Sequence, residues 1–135
     1  MNGGKSTYQP TGTPDARIEA AREFLCGYQL GIQMLHLRQY ERKRGRSLEL
    51  PVVQADVLRG NEVFWHARMQ EIGSLINAMK NGREKMILYY HYIRGESIEH
   101  ASDLIGFSRR TGYRLHRKGL LTVSFLLDRI QKNEE

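Results

Sequence analysis

Apolar residues recur along this chain at intervals of three and four, the spacing that gathers them on one face of an α-helix. The first series runs Ile18, Ala21, Leu25, Tyr28, Ile32 and Leu35, an a/d stripe over nearly three heptads. Thr13-Pro14-Asp15 marks its start: a capping hydroxyl, proline at the first position and an acid in the first turn. The pattern predicts a helix that runs to about Arg44 and stops at Gly45. Gly27 and Gly31 would let a second helix approach closely. The stripe serves either packing inside the chain or pairing with a second copy.

Gly45 to Gly60 interrupts the pattern with Pro51 and the apolar cluster Leu48, Leu50, Val52 and Val53, leaving room for one helical turn over Gln54 to Arg59. Asn61 is expected to cap the next helix. Its broad apolar face, Trp65, Met69, Ile72, Ile76 and Met79 with Phe64, Ala67 and Leu75, reads as core, and Asn81-Gly82 as its end. A further helix is expected over Arg83 to Ile93, with Met86, Ile87, Tyr89, Tyr90 and Ile93 on its apolar side. Near the other end, Leu120, Val123, Leu127 and Ile130 continue a three-four stripe. There the helix that precedes Leu120 either runs on or is followed by a final one, packed on Trp65 to Met79 or paired with a second copy. No strand-like alternation of useful length and no internal repeat occurs. The expectation is an all-α fold: a long N-terminal helix and a helical middle segment, followed by the module below.

That module lies between Ser97 and Leu120. Ser97 offers a hydroxyl to the free N–H groups of a first turn, and Glu99 suits the helix dipole there. Ile98, Ala101, Ser102 and Ile105 supply inward or small positions. Gly106 can adopt the left-handed conformation that a sharp turn needs, and Phe107 plugs the corner. Ser108 caps a second helix whose other face is kept apolar by Leu115 and Leu120. Two short helices around a glycine turn form a helix-turn-helix, whose second helix enters the DNA major groove.

Charge sharpens this picture. The chain carries a net charge of +6 and has a pI near 9.7. Between Gly106 and Leu121 stand Arg109, Arg110, Arg114, Arg117 and Lys118 with no acid. Cations without interleaved acids suit a polyanionic partner better than a merely solubilising face. A second basic group, Arg38, Arg42, Lys43, Arg44 and Arg46 against Glu41, is equally compatible with a second DNA contact and with a solvated helix end.

From Gly82 to Leu120, under a third of the chain, the sequence resembles region 4 of bacterial sigma factors, which reads the promoter −35 element. The likeness rests on Tyr92-Ile93-x-Gly95-x-Ser97, Leu104-Ile105-Gly106-Phe107-Ser108, then Thr111, Arg114-Leu115-His116 and Leu120. Nothing in the chain resembles sigma region 2, which melts promoters. With its long N-terminal helix the chain is similar to phage-encoded transcriptional regulators of the ArpU and RinA kind, associated with late gene expression. The resemblance implies that Arg110 and Arg114 read bases and that Arg109 and Tyr113 make mixed base and phosphate contacts. Ser97, Ser108, Thr111, Arg117 and Lys118 become phosphate contacts, which position without specifying. Arg110 stands where many primary sigma factors carry Glu, so the consensus −35 sequence is not the expected target. Two further departures are Ala101, in place of a larger aliphatic, and Gly112, in place of a core Ile or Val. A helical Gly costs roughly 1 kcal/mol relative to Ala, which implies a module that is marginal on its own.

Other chemistry finds little support. Cys26 is the single cysteine, so neither an intrachain disulfide nor a CxxC zinc framework is possible, and a reducing cytoplasm of a bacterial host is the expected compartment. No apolar run suits secretion or membrane spanning. Gly4-Lys5-Ser6-Thr7 lacks the upstream glycine and strand of a phosphate-binding loop and reads as part of a flexible arm over 1–13. His36, His66, His91, His100 and His116 show no metal-ligand spacing, and no nucleophile-base or paired-carboxylate arrangement stands out. No catalysis, metal or cofactor is expected. The expected organisation is an arm, a helical and oligomerising region over 14–80, and a DNA-binding domain over 82–131. The expected role is a sequence-specific regulator on double-stranded DNA, as a homo-oligomer, with a dimer favoured and joined through Ile18 to Leu35 or Leu120 to Ile130. Its alternatives are a small terminase-like packaging protein and a module that binds RNA polymerase.

Overall fold

The computed structural model describes residues 12–43 and 52–134, and every regular element among them is a helix. Most of the expected arm, with Gly4-Lys5-Ser6-Thr7, lies outside the described residues, as do Arg44, Arg46 and the side chain of Arg42.

Helix α1 spans Pro14–Lys43. Thr13 Oγ1 accepts the Ala16 N–H at 3.1 Å, and Asp15 occupies the first turn, so the start is the expected one. The stripe is spent inside the chain. Ala21 and Leu25 are fully buried, with Ile18 and Tyr28 packed beside them. A Cβ on Gly31 would lie 2.8 Å from Met69 Cγ, so this glycine does bring α1 against the next helix.

Helix α2 spans Val52–Asn77, which corrects two expected boundaries. Gly60 and Asn61 sit inside it, so no helix begins at Asn61. Gly at one helical position costs about 1 kcal/mol. Burying a Leu or Ile side chain contributes about 1.5–3 kcal/mol, and Ile72, Leu75 and Ile76 are all buried. Tertiary packing therefore outweighs the local signal. At the other end, Asn81 begins the following helix instead of ending this one. Its Oδ1 accepts the N–H groups of Arg83 and Glu84, both at 3.1 Å.

The supporting helix is divided. α3 covers Gly82–Leu88 and passes into a π-helical turn over Tyr89–Ile93. There the Arg94 N–H reaches back five residues to the Tyr89 carbonyl at 3.0 Å. The expected apolar side is shifted: Met86 and Tyr89 are exposed, while Glu84, Ile87, Leu88 and Tyr92 face inward. Gln29 of α1 braces the turn, its Nε2 donating to the carbonyls of Tyr92 (3.2 Å) and Ile93 (2.9 Å). The buried Glu84 carboxylate accepts the Thr122 hydroxyl at 2.9 Å.

Helix α4, Ile98–Ile105, and helix α5, Arg109–Glu134, complete the fold. α5 runs on without a break, so there is no separate final helix. It packs chiefly on α1, α3 and α4, with far less against α2. One apolar cluster joins Ala21 and Leu25 of α1, Ile72 and Ile76 of α2, Leu88, Tyr92, and Leu120, Val123 and Leu127 of α5. A second lies within the module: Ile87, Ile98, Ala101 and Leu115, flanked by Tyr90, Ile105 and Phe107. Since α3 and α5 supply side chains to both, the helix that begins at Ser108 is anchored along its length. Both stripes expected to join two copies contribute to the chain's own core.

Candidate nucleic-acid interface

Ser97 and Gly106 shape α4 as their residue types demand. Ser97 Oγ accepts the His100 N–H at 3.0 Å. Gly106 has φ 89° and ψ 25°, a left-handed conformation that costs an L side chain energy. The Phe107 N–H bonds the Ser102 carbonyl (2.9 Å), and the Gly106 N–H reaches that of Asp103 (3.3 Å). These two bonds are a Schellman closure. Ser108 then caps α5: its Oγ accepts the Thr111 N–H at 3.1 Å and donates to Thr111 Oγ1 at 3.0 Å. The oxygens of Ser97 and Ser108 thus serve as helix caps, and the Ser108 O–H is directed to Thr111.

The two departures from the sigma pattern prove structural. Gly112 is buried against α4, where a Cβ would lie 1.7 Å from Ser102 Oγ and 2.9 Å from Ser102 Cβ. Ala101 and Ser102 are fully buried, and Ser102 Oγ donates to the Ile98 carbonyl at 2.7 Å. Small residues on both helices let α4 and α5 approach closely. What looks like a weakness in one helix is a fit between two, and the expected marginality does not follow from Gly112.

The predicted reading residues share the exposed side of α5. Arg110 and Arg114 stand one turn apart, both exposed, and among the described residues no carboxylate pairs with either. Lys118, a turn further on, is also exposed. Arg109 and Tyr113 are held instead. Arg109 Nη2 lies 3.1 Å from Asp103 Oδ2, and the Tyr113 hydroxyl donates to Glu99 Oε2. That hydrogen bond pushes the Tyr113 phenol up and draws the Glu99 carboxyl down, so Tyr113 remains a donor. Arg117 pairs with Asp15 at 2.9 Å. These contacts are exposed, and exposed pairs exchange readily for other partners. Although α5 has no acid of its own in this stretch, α4 and α1 bring three to it.

Lys43 lies elsewhere. It is exposed near the end of α1, while Asp15 of the same helix touches Arg117. At 1.5 Å per residue, the two ends of α1 are about 40 Å apart, so Lys43 does not join the α5 face.

Behind that face sits a polar group that spacing did not reveal. Tyr92 OH and His116 Nε2 are 2.7 Å apart with stacked rings, and His91 meets the His116 ring edge-on. His91 Nδ1 donates to the Glu96 carbonyl at 2.6 Å. Burial, and then the neighbouring His91, lower the His116 pKa to about 4, so it is neutral near pH 7. The π-helical turn, which displaces Tyr92 from the ordinary helical register, carries Tyr92 to this position. No signal in the sequence announces such a turn.

Among the described residues no helix is long and apolar enough to cross a membrane, and no group of His, Cys, Asp and Glu side chains could hold a metal ion. No protein-family model, curated protein or solved structure matches this chain.

Proposed function

We propose that this protein is a sequence-specific regulator of transcription that inserts the first turns of α5 into the major groove of double-stranded DNA. The observation that carries this reading is the pair Arg110 and Arg114. Both are exposed and without an acidic partner among the described residues, on a helix held by a Ser108 cap and a Gly106 turn. Arginine reads guanine through two parallel hydrogen bonds to O6 and N7. Four residues of helix advance about 6 Å, roughly two base-pair steps, so the two arginines suit guanines on nearby pairs. Arg109 and Tyr113 add mixed contacts, and Lys118 and Arg117 meet phosphates. The resemblance to phage regulators of the ArpU and RinA kind supports a role in late gene expression. It acts by binding and needs no catalytic group.

One such helix covers few base pairs, so the protein binds as a dimer on paired half-sites. With both stripes engaged internally, the joint must draw on other side chains, and Leu30 and Leu37 of α1 and Val63 and Phe64 of α2 are among the exposed apolar ones. Solution mass separates this dimer from the ring of many copies that a packaging protein would form.

The experiment is selection of bound sequences from a random duplex pool, followed by footprinting of the selected site. Arg114→Ala is expected to lose about 1–3 kcal/mol at one base position and to relax preference there. Lys118→Ala should weaken all sequences alike and reduce the salt slope by about one. Equal wild-type affinity for every sequence would remove the regulator reading.

A further inference from the structure

A cleft of about 390 Å³ opens where α1, α2, α3 and the π-helical turn meet. Its wall is mostly apolar: Tyr28 of α1, Ile76 of α2, Met86 of α3, and Tyr89 and Ile93 of the π-helical turn. Met86 and Tyr89 are left 41% and 40% exposed, although large apolar side chains gain from cover. The one charged group in the lining is Lys85. Its ammonium donates to the Asn77 carbonyl at 3.0 Å, and no carboxylate pairs with it among the described residues. We propose that this cleft is a binding site for a small organic acid with an apolar body, whose carboxylate is held by Lys85.

Space, shape and charge choose this occupant. Pockets for small ligands run from about 300 to 1,000 Å³ and pair an apolar, aromatic wall with a few polar groups. A cavity of about 150 Å³ holds benzene, so this cleft suits a body of roughly two rings. Gly73 keeps it open. Glycine weakens a helix, and at Gly31 and Gly112 a neighbour stands where the Cβ would be. At Gly73 nothing lies within 4 Å of that place, so no packing contact accounts for the residue, which lines the cleft instead. Charge fixes the polar end. An ammonium has three N–H donors, and Lys85 gives one to Asn77, which leaves two for an anion. A small inorganic anion would leave the apolar wall bare, and an organic cation would face Lys85. Single π-helical turns recur at functional sites, and this one supplies two of the lining side chains.

The probes are 2-naphthoate and its neutral counterpart 2-naphthamide, titrated into the full-length protein by calorimetry and by NMR of the backbone amides. The acid should bind one-to-one with a Kd below about 1 mM. It should shift the signals of Gly73, Tyr89 and Ile93 more than those of Arg110 and Arg114. The amide should bind about fivefold more weakly, the worth of one partly exposed charge contact. Lys85→Met should bring the acid down to the level of the amide and leave the amide within about twofold. Gly73→Leu has open space for its Cβ and should fold as the wild type does, by circular dichroism, while weakening both probes at least about tenfold. Should that variant not fold, the acid–amide comparison and Lys85→Met still decide. Equal affinity for acid and amide, shifts centred on α5, or no saturation by about 10 mM would overturn the proposal. So would a folded Gly73→Leu that binds as the wild type does. A wild-type dimer that Gly73→Leu breaks apart would also overturn it, by assigning the cleft to a second copy. None of these results bears on DNA reading by α5.

Discussion

Gly112→Ala tests the packing that aims α5. At an open helical position this change stabilises, by about 0.4–1 kcal/mol. Here the new Cβ would fall 1.7 Å from Ser102 Oγ and 2.9 Å from Ser102 Cβ. Rotating the hydroxyl relieves the first clash but breaks its bond to the Ile98 carbonyl. A buried group left unsatisfied costs about 1–3 kcal/mol. The second clash involves a Cβ that cannot rotate away, so α4 and α5 must separate, at roughly 1–3 kcal/mol for overpacking. Set against about 1 kcal/mol of regained helix propensity, the expected net loss is about 3 kcal/mol. For a chain of this size that lowers Tm by about 10 °C. Urea and thermal denaturation followed by circular dichroism measure it. The partner variant is Ser102→Gly, which removes both clashing atoms. The double variant should be more stable than Gly112→Ala alone, with a coupling of at least about 1 kcal/mol. A stabilising or neutral Gly112→Ala, or no rescue by Ser102→Gly, would refute the close α4–α5 contact.

Gln29→Ala should cost about 1–3 kcal/mol in urea denaturation, since two carbonyls of the π-helical turn lose their donor. Gln29→Glu should cost more, because it turns an acceptor toward two carbonyls, and equal losses would count against the brace. His116 makes stability depend on pH. Its folded pKa of about 4 lies below the unfolded value of about 6.5, so protonation favours the unfolded chain. Stability should therefore hold above pH 6.5 and fall progressively toward pH 4, by up to about 3 kcal/mol. His116→Gln should flatten that part of the profile, and an unchanged slope would refute the assignment.

Spacing and local chemistry were enough to foresee an all-α chain and the course of its module. Caps and turns act within a few residues, so Thr13, Ser97, Gly106 and Ser108 announce their roles where they stand. The same holds for the exposed side of α5: periodicity separates Arg110 and Arg114 from Leu115, and the acid-free run draws attention to them. Local signals misled where tertiary packing overrode them. Gly60 and Asn61 resemble a boundary, yet lie within α2. Met86 and Tyr89 resemble core, yet are exposed, because the supporting helix turns a different face to α5 and changes register in its π-helical turn.

Contacts between residues far apart in the chain came only with the assembled helices. Asp103 and Glu99 belong to α4, and only its crossing angle with α5 brings them to Arg109 and Tyr113. Gly112 reads as a defect until Ser102 is seen against it. The stripes over Ile18 to Leu35 and Leu120 to Ile130 suit another chain and this one equally well, since an apolar face records that it must be covered but not by what. Periodicity is a property of one helix, whereas the choice of partner for each face depends on the joint packing of all of them.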